Sequence, residues 1–232
     1  MLSYEEKLKL AENNRMSQKP RPPLPAEYAA FISETARGEN MMPTRHGNVR
    51  VLCFDGRSSR EQSALVIYVH GGGFIKGHKD DYDSGFAAAL AAGSSSLVWD
   101  IDYTIAPEAP YPIAAEQCYD IVRSAADQAE ALGTDPGKLV LIGNSSGGNL
   151  CSVVAMMSLK HSDFRLRLLV LDYPPMDLAT DPAVKKGAEL SHVPPEVART
   201  YNSLYVEKEE QLVLPFVSPV LAAPEELAGM PE

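Results

Sequence analysis

Short runs rich in Val, Ile and Leu punctuate the middle of the chain: Val49 to Phe54, Ala64 to His70, Ser96 to Ile101, Lys138 to Ile142 and Leu168 to Tyr173. Several are apolar at both odd and even positions, as strands buried on both faces must be. Between them, residues 82–92, 113–132 and 148–160 carry apolar positions at helical spacing. This alternation predicts a mostly parallel sheet with helices on both faces. Ahead of it, residues 4–13 and roughly 26–37 also read as helices. The stretch Lys19-Pro20-Arg21-Pro22-Pro23-Leu24-Pro25 joins them as an extended connector, because proline cannot continue a helix. Toward the end, Val197 to Val206 reads as a helix, and Pro215, Pro219, Pro224 and Pro231 interrupt any longer element. There is no internal repeat and no low-complexity tract.

Composition narrows the class. The chain has 232 residues, 45% hydrophobic and 22% charged, which is that of a globular protein, and its length admits a single α/β domain. Twenty-one basic side chains against 31 acidic ones give a net charge of −10. Nucleic acid is therefore excluded as a partner, since that binding is driven by Lys and Arg displacing counterions. Cys53, Cys118 and Cys151 are odd in number and lack CxxC spacing, so they read as free thiols of a reducing compartment. The opening Met1-Leu2-Ser3-Tyr4-Glu5-Glu6-Lys7 is charged where a signal peptide needs an apolar core, and the expected location is cytoplasmic. The uncharged stretch from Leu139 to Leu159 is long enough to raise a membrane question, but Gly-Asn-Ser-Ser-Gly-Gly-Asn lies at its centre. It reads as strand, tight turn and helix, without membrane insertion.

That turn carries the strongest chemical signal. Gly143-Asn144-Ser145-Ser146-Gly147 follows the apolar Leu139-Val140-Leu141-Ile142 and opens a helix. A G-x-S-x-G at a strand-to-helix junction is a nucleophile elbow, with Ser145 lifted clear of the backbone at a helix N-terminus. A Gly/Ser-rich loop matching by chance is the plain alternative. The second signal is His70-Gly71-Gly72-Gly73-Phe74, closing another strand. Successive glycines let backbone N–H groups face a bound group that a Cβ would block. For acyl transfer the oxyanion donors would be the amides of Gly72, Gly73 and Ser146. A phosphate loop is disfavoured, because no Lys-Ser/Thr follows and the spacing is not G-x-G-x-x-G. His70 reads as a residue that orients this loop.

Those two motifs, together with Asp102-Tyr103-Thr104-Ile105-Ala106-Pro107-Glu108-Ala109-Pro110-Tyr111-Pro112, resemble the hormone-sensitive-lipase-like family of α/β-hydrolases. The resemblance runs from about residue 45 to the end and includes Leu171-Asp172-Tyr173-Pro174 and Val217-Ser218-Pro219-Val220. It implies an α/β-hydrolase fold with core segments 45–177 and 215–232. Residues 1–40, as N-terminal helices, and 178–214 would form a small cap. The implied activity is hydrolysis of small, short-acyl carboxylic esters through Ser145 and an acyl-enzyme, with no cofactor and no metal. Asp102 and Glu108 would brace the loops around the serine, unless they form simple turn-stabilising ion pairs. The family's commoner elbow is G-D-S-A-G; Asn144 and Ser146 depart from it while Gly143, Ser145 and Gly147 are kept.

In this family the serine is followed by an Asp and then a His on loops after the last two strands, and neither segment is found. The missing piece would amount to about 50 to 80 residues. The chain thus reads as C-terminally truncated, and the alternative to an enzyme is a non-catalytic or inactive member of the same fold. Among the histidines, His46 precedes the first strand, His78 lies in the charged loop His78-Lys79-Asp80-Asp81, His161 ends a helix, and His192 reads as a cap or surface residue. The run Leu168-Leu169-Val170-Leu171 is expected to form an exposed sheet edge through which the chain could self-associate.

Overall fold

A computed structural model describes residues 2–17, 25–59 and 63–231. Six strands form one sheet: β1 (Ala36–Thr44), β2 (Gly47–Asp55), β3 (Ser63–Val69), β4 (Leu97–Asp102), β5 (Thr134–Asn144) and β6 (Leu168–Asp172), in the order β1-β2-β4-β3-β5-β6. β3 runs parallel to β4 and β5, and β5 parallel to β6, while β2 is antiparallel to both β1 and β4. The helices are α1 (Tyr4–Met16), α2 (Ala26–Glu34), α3 (Asp83–Ser94), α4 (Ile113–Gln128), α5 (Ser146–His161) and α6 (Pro195–Tyr205). Beyond α6 only short 3-10 turns follow among the described residues, as the scattered prolines require.

The central strands are apolar at both parities because both faces are buried. On β3, Leu65, Ile67 and Val69 enter the core shared with α4 and α5, and Val66 and Tyr68 enter the one beneath α3. On β4, Leu97, Trp99 and Ile101 face the first core and Val98 the second. The predicted α/β architecture is present. Its helix at 148–160 begins two residues earlier, at Ser146, so the elbow opens directly into the helix.

The main departure lies near the N-terminus. The helix expected to reach about residue 37 stops at Glu34, and β1 follows immediately. Residues 36–40, assigned by sequence to the N-terminal helices, belong instead to the sheet edge. β1 has no buried residue and carries Pro43, so neither alternation nor composition marks it. Its strand character comes from pairing with β2 across the turn at Arg45-His46. Pro43 is tolerated because the strand has a neighbour on one side only. α2 packs Phe31 and Ile32 into the core under α3, not over the serine. The predicted connector lies outside the described residues except for Pro25, which precedes α2.

At the other edge, β6 pairs with β5, and no strand among the described residues covers its outer side. Leu168 is 40% exposed, whereas Leu169, Val170 and Leu171 are half-buried. Among the described residues, no helix is long and apolar enough to cross a membrane.

Candidate active site

Ser145 sits between β5 and α5 with φ 51° and ψ −124°. This conformation is costly for any residue with a Cβ and is kept only where its surroundings enforce it. The surroundings are explicit. The Ser145 amide donates to the Asp172 carbonyl at the end of β6 (2.8 Å), and its carbonyl accepts from the Asn149 amide in α5 (3.2 Å). The flanking glycines are forced by contact: a Cβ on Gly143 would lie 2.5 Å from the Gly147 backbone and 2.7 Å from Cys151 Sγ. Cys151 itself is fully buried, and burial pushes its thiol well above the usual range, so it is packing material. Asn144, the departure from the commoner elbow, accepts from the Tyr68 hydroxyl and donates to the Tyr173 hydroxyl.

The glycine loop lies directly against this turn. A Cβ on Gly71 would come within 3.2 Å of Ser145 Cβ. Gly72 and Gly73 take φ of 145° and 60°, which side chains resist. His70 is wholly buried and stacks on Tyr103 with ring centroids 4.3 Å apart. Its Nδ1 lies 2.8 Å from the Gly71 carbonyl, and Tyr103 donates to the His70 carbonyl at 3.1 Å. Burial pushes the His70 pKa down, which favours the neutral ring. Ser146 is buried at the first position of α5, where its amide has no partner within the helix.

Asp102 and Glu108 both form ion pairs. Arg50 donates from Nε to Asp102 at 2.9 Å, and Arg15 grips Glu108 through both terminal nitrogens at 2.7 and 2.8 Å. Arg15 also donates to the carbonyls of Ile75 and Ala106, so α1 is tied to the segment after the glycine loop and to the turn after β4. α6 completes the surroundings. The Tyr205 ring stacks on Phe74 at 3.8 Å, and Tyr201 covers Gly73 so closely that a Cβ there would lie 2.4 Å from the ring. Two cavities near the N-terminus, of about 400 and 560 Å3, are lined by residues such as Leu2, Lys7 and Val206. Neither is lined by Ser145.

A strand–elbow–helix unit with a triple-glycine loop held against its serine is the arrangement of one fold family, and comparison supports it. The family described as alpha/beta hydrolase fold matches residues 66–232. The chain belongs to the α/β-hydrolase fold family. Esterase LipI of Mycobacterium tuberculosis is 37% identical over 94 residues, 40% of this chain and 29% of LipI. Hormone-sensitive lipase of Mus musculus is 38% identical over 97 residues, 40% of this chain and 12% of the lipase. The matched segment thus spans less than a third of either relative. Among solved structures, a hyperthermophilic esterase from Pyrobaculum calidifontis superposes with a TM-score of 0.78 at 26% identity, covering 99% of this chain and 77% of that one. The predicted resemblance and fold class hold.

Of this chain's histidines, His192 is exposed and His161 ends α5, as expected. His46 meets Glu116 at 2.5 Å, on the surface. His78 is the residue the sequence did not reveal. Its ring is fully buried, with Nε2 2.7 Å from Asp100 and Nδ1 3.0 Å from Asp80. The signal was present in Asp100, a carboxylate in a strand predicted to be buried on both faces; such a group needs a cation.

Proposed function

We propose that the chain is a carboxylic-ester hydrolase acting on small, short-acyl esters, with Ser145 as the nucleophile. Ser145 Oγ adds to the acyl carbon as its proton passes to solvent water, the alcohol leaves carrying a proton from solvent, and a second water cleaves the acyl-enzyme to free the acid and restore the serine. The N–H groups of Gly72, Gly73 and Ser146 are assigned to the oxyanion, where preorganised donors contribute most to acyl transfer. His70, Gly71, Asn144, Gly143 and Gly147 hold the loop and turn together. Asp102 and Glu108 brace the neighbouring segments through Arg50 and Arg15. Segment 178–214, with α1, is the cap over this end of the sheet, and the remainder is core. No cofactor is assigned, because acyl transfer through serine requires none.

The observation that carries the reading is the strained Ser145 backbone, φ 51° and ψ −124°, set directly beside Gly71. The names of the relatives, esterase and hormone-sensitive lipase, support the reaction class. The small-ester preference rests on the Tyr201 ring closing over Gly73. Ser145 and the three amides belong to this chain, and none of its five histidines is assigned as the general base. Among the described residues, none makes a hydrogen bond to Ser145 Oγ.

The test compares this chain with S145A for p-nitrophenyl acetate hydrolysis and for labelling by a fluorophosphonate, read by intact mass. One adduct on the parent chain and none on S145A is expected, with hydrolysis falling to the buffer rate in the variant. Equal rates and equal labelling in the two proteins would remove Ser145 as the nucleophile.

A further inference from the structure

The face of the sheet beneath α3 is apolar except for one polar cluster. Asp100 stands on β4 two positions from Val98, with no exposed surface, in register with Tyr68 of β3 and within reach of the charge of Asp83. A carboxylate there is tolerable only when a cation meets it. His78 supplies it. Both ring nitrogens lie at hydrogen-bond distance from carboxylate oxygens, Asp100 at 2.7 Å and Asp80 at 3.0 Å. Burial pushes the Asp100 carboxyl up and His78 pulls it back down; with both carboxylates ionised they only accept, and since a neutral imidazole has a single N–H, the two bonds then call for the doubly protonated ring.

This cation lies on the path to the glycine loop. The His78 ring meets His70 edge-on, with centroids 5.4 Å apart and planes at 82°. His70 is in turn bonded to the Gly71 carbonyl, and Gly71 abuts Ser145. The other side is anchored in the sheet. Asp80 is gripped by Arg50 at 2.5 and 3.0 Å, and Arg50 also reaches Asp102 on β4. Arg37 of β1 adds a 3.4 Å contact to Asp80. Just beyond, the Lys79 amide donates to Asp83 at 2.8 Å, closing the segment onto α3.

We propose that His78, held as a cation between Asp100 and Asp80, is a positioning residue that fixes the His70–Gly73 loop against the Ser145 turn. The role rests on the ester-hydrolase reading of that loop, and His78 touches no substrate. The groups that face it are Asp100 and Asp102 of β4, Asp80 of its own loop, Asp83 of α3, and His70 after β3, with Arg50 and Arg37 acting through Asp80. Burial alone pulls its pKa down, but the hydrogen bond and charge of Asp100, with the charges of Asp83 and Asp102, push it up to about 9. Burial also holds the neighbouring His70 toward its neutral form.

The test follows the 232-residue chain, labelled with 13C-His and 15N-Gly, by NMR from about pH 6 to about pH 10, a range bracketing the free-imidazole value of about 6.5. The His78 ring is expected to stay charged through neutral pH, and the amide signals of Gly72 and Gly73 should move with its midpoint. D100N should lower that midpoint, while the amide of Gly187, in the segment between β6 and α6, should stay still. A ring that titrates near the free value, or Gly72 and Gly73 amides that ignore its titration, would overturn the proposal whether or not the chain hydrolyses esters.

Kinetics separate positioning from mere stability. H78N is expected to lower kcat for p-nitrophenyl acetate about 10-fold with KM within about two-fold, as for a misaimed oxyanion donor. The double variant H78N/D100N removes the uncompensated carboxylate, so its thermal midpoint should recover while kcat stays low. Recovery of kcat together with stability would reduce His78 to a structural residue. A parent chain without Ser145-dependent hydrolysis would instead defeat the ester-hydrolase reading, and the glycine titration would still decide the linkage.

Discussion

Replacing Gly147 with alanine sets two well-measured effects against each other. Gly147 is the second residue of α5, and within a helix alanine is preferred over glycine by about 0.5–1 kcal/mol. Here the new methyl would lie 2.1 Å from the Val69 carbonyl oxygen and 2.5 Å from that of His70. Both are backbone atoms where β3 runs into the glycine loop, so no side chain can swing aside. Relief requires α5 to lift from the sheet, and overpacking of this kind costs about 1–3 kcal/mol or more. The clash wins, and the net loss should be about 2 kcal/mol. For a chain of this length that lowers Tm by roughly 4–8 °C. Gly93 provides the internal control. It lies in the last turn of α3, and a Cβ there meets nothing within 4 Å. G93A should therefore gain a few tenths of a kcal/mol, the opposite sign for the same chemical change. Urea unfolding followed by circular dichroism measures both. A G147A variant as stable as the parent, or the two variants changing stability in the same direction, would refute the claim that backbone contact dictates glycine at the elbow.

Three further outcomes follow from the same geometry. S145G should raise stability by about 1 kcal/mol in urea titrations, because glycine accepts the strained φ, while it abolishes fluorophosphonate labelling. His78 has a folded pKa raised to about 9, so its stabilising contribution is complete below the unfolded value near 6.5 and is lost as pH climbs through 9; unfolding free energies at pH 6.5 and above 9 should differ by on the order of 3 kcal/mol, a difference absent from H78N/D100N. Finally, if the bare edge of β6 drives self-association, sedimentation velocity should show concentration-dependent assembly that V170K suppresses; identical profiles for the two chains would remove that edge as the contact.

Much of the fold was legible because it follows from local chemistry. Strands buried on both faces are apolar at both odd and even positions, which is how β3, β4 apart from its aspartates, and the Leu139 to Ile142 part of β5 declared themselves. The elbow and the glycine loop were legible for a related reason: steep turns and close backbone approaches admit only glycine, so Gly72, Gly73, Gly143 and Gly147 record the geometry in the residues themselves. β1 left no such record. Its side chains mix polar and apolar residues with none buried, and its strand form exists only through pairing with β2.

The same division runs through the site. Amino-acid order alone was enough to place Ser145 at a strand–helix junction and to pair it with His70-Gly71-Gly72-Gly73, since each motif is contiguous and constrained by its own backbone. Tertiary structure decided the long-range ties: Arg15 reaching Glu108 from 93 positions away, Tyr205 of α6 stacking on Phe74, and His78 turning inward to meet Asp100. Ion pairs and ring stacks join residues whose separation along the chain carries no periodic signal. A charged loop such as His78 to Asp81 looks solvated until folding shows which buried carboxylate it must neutralise.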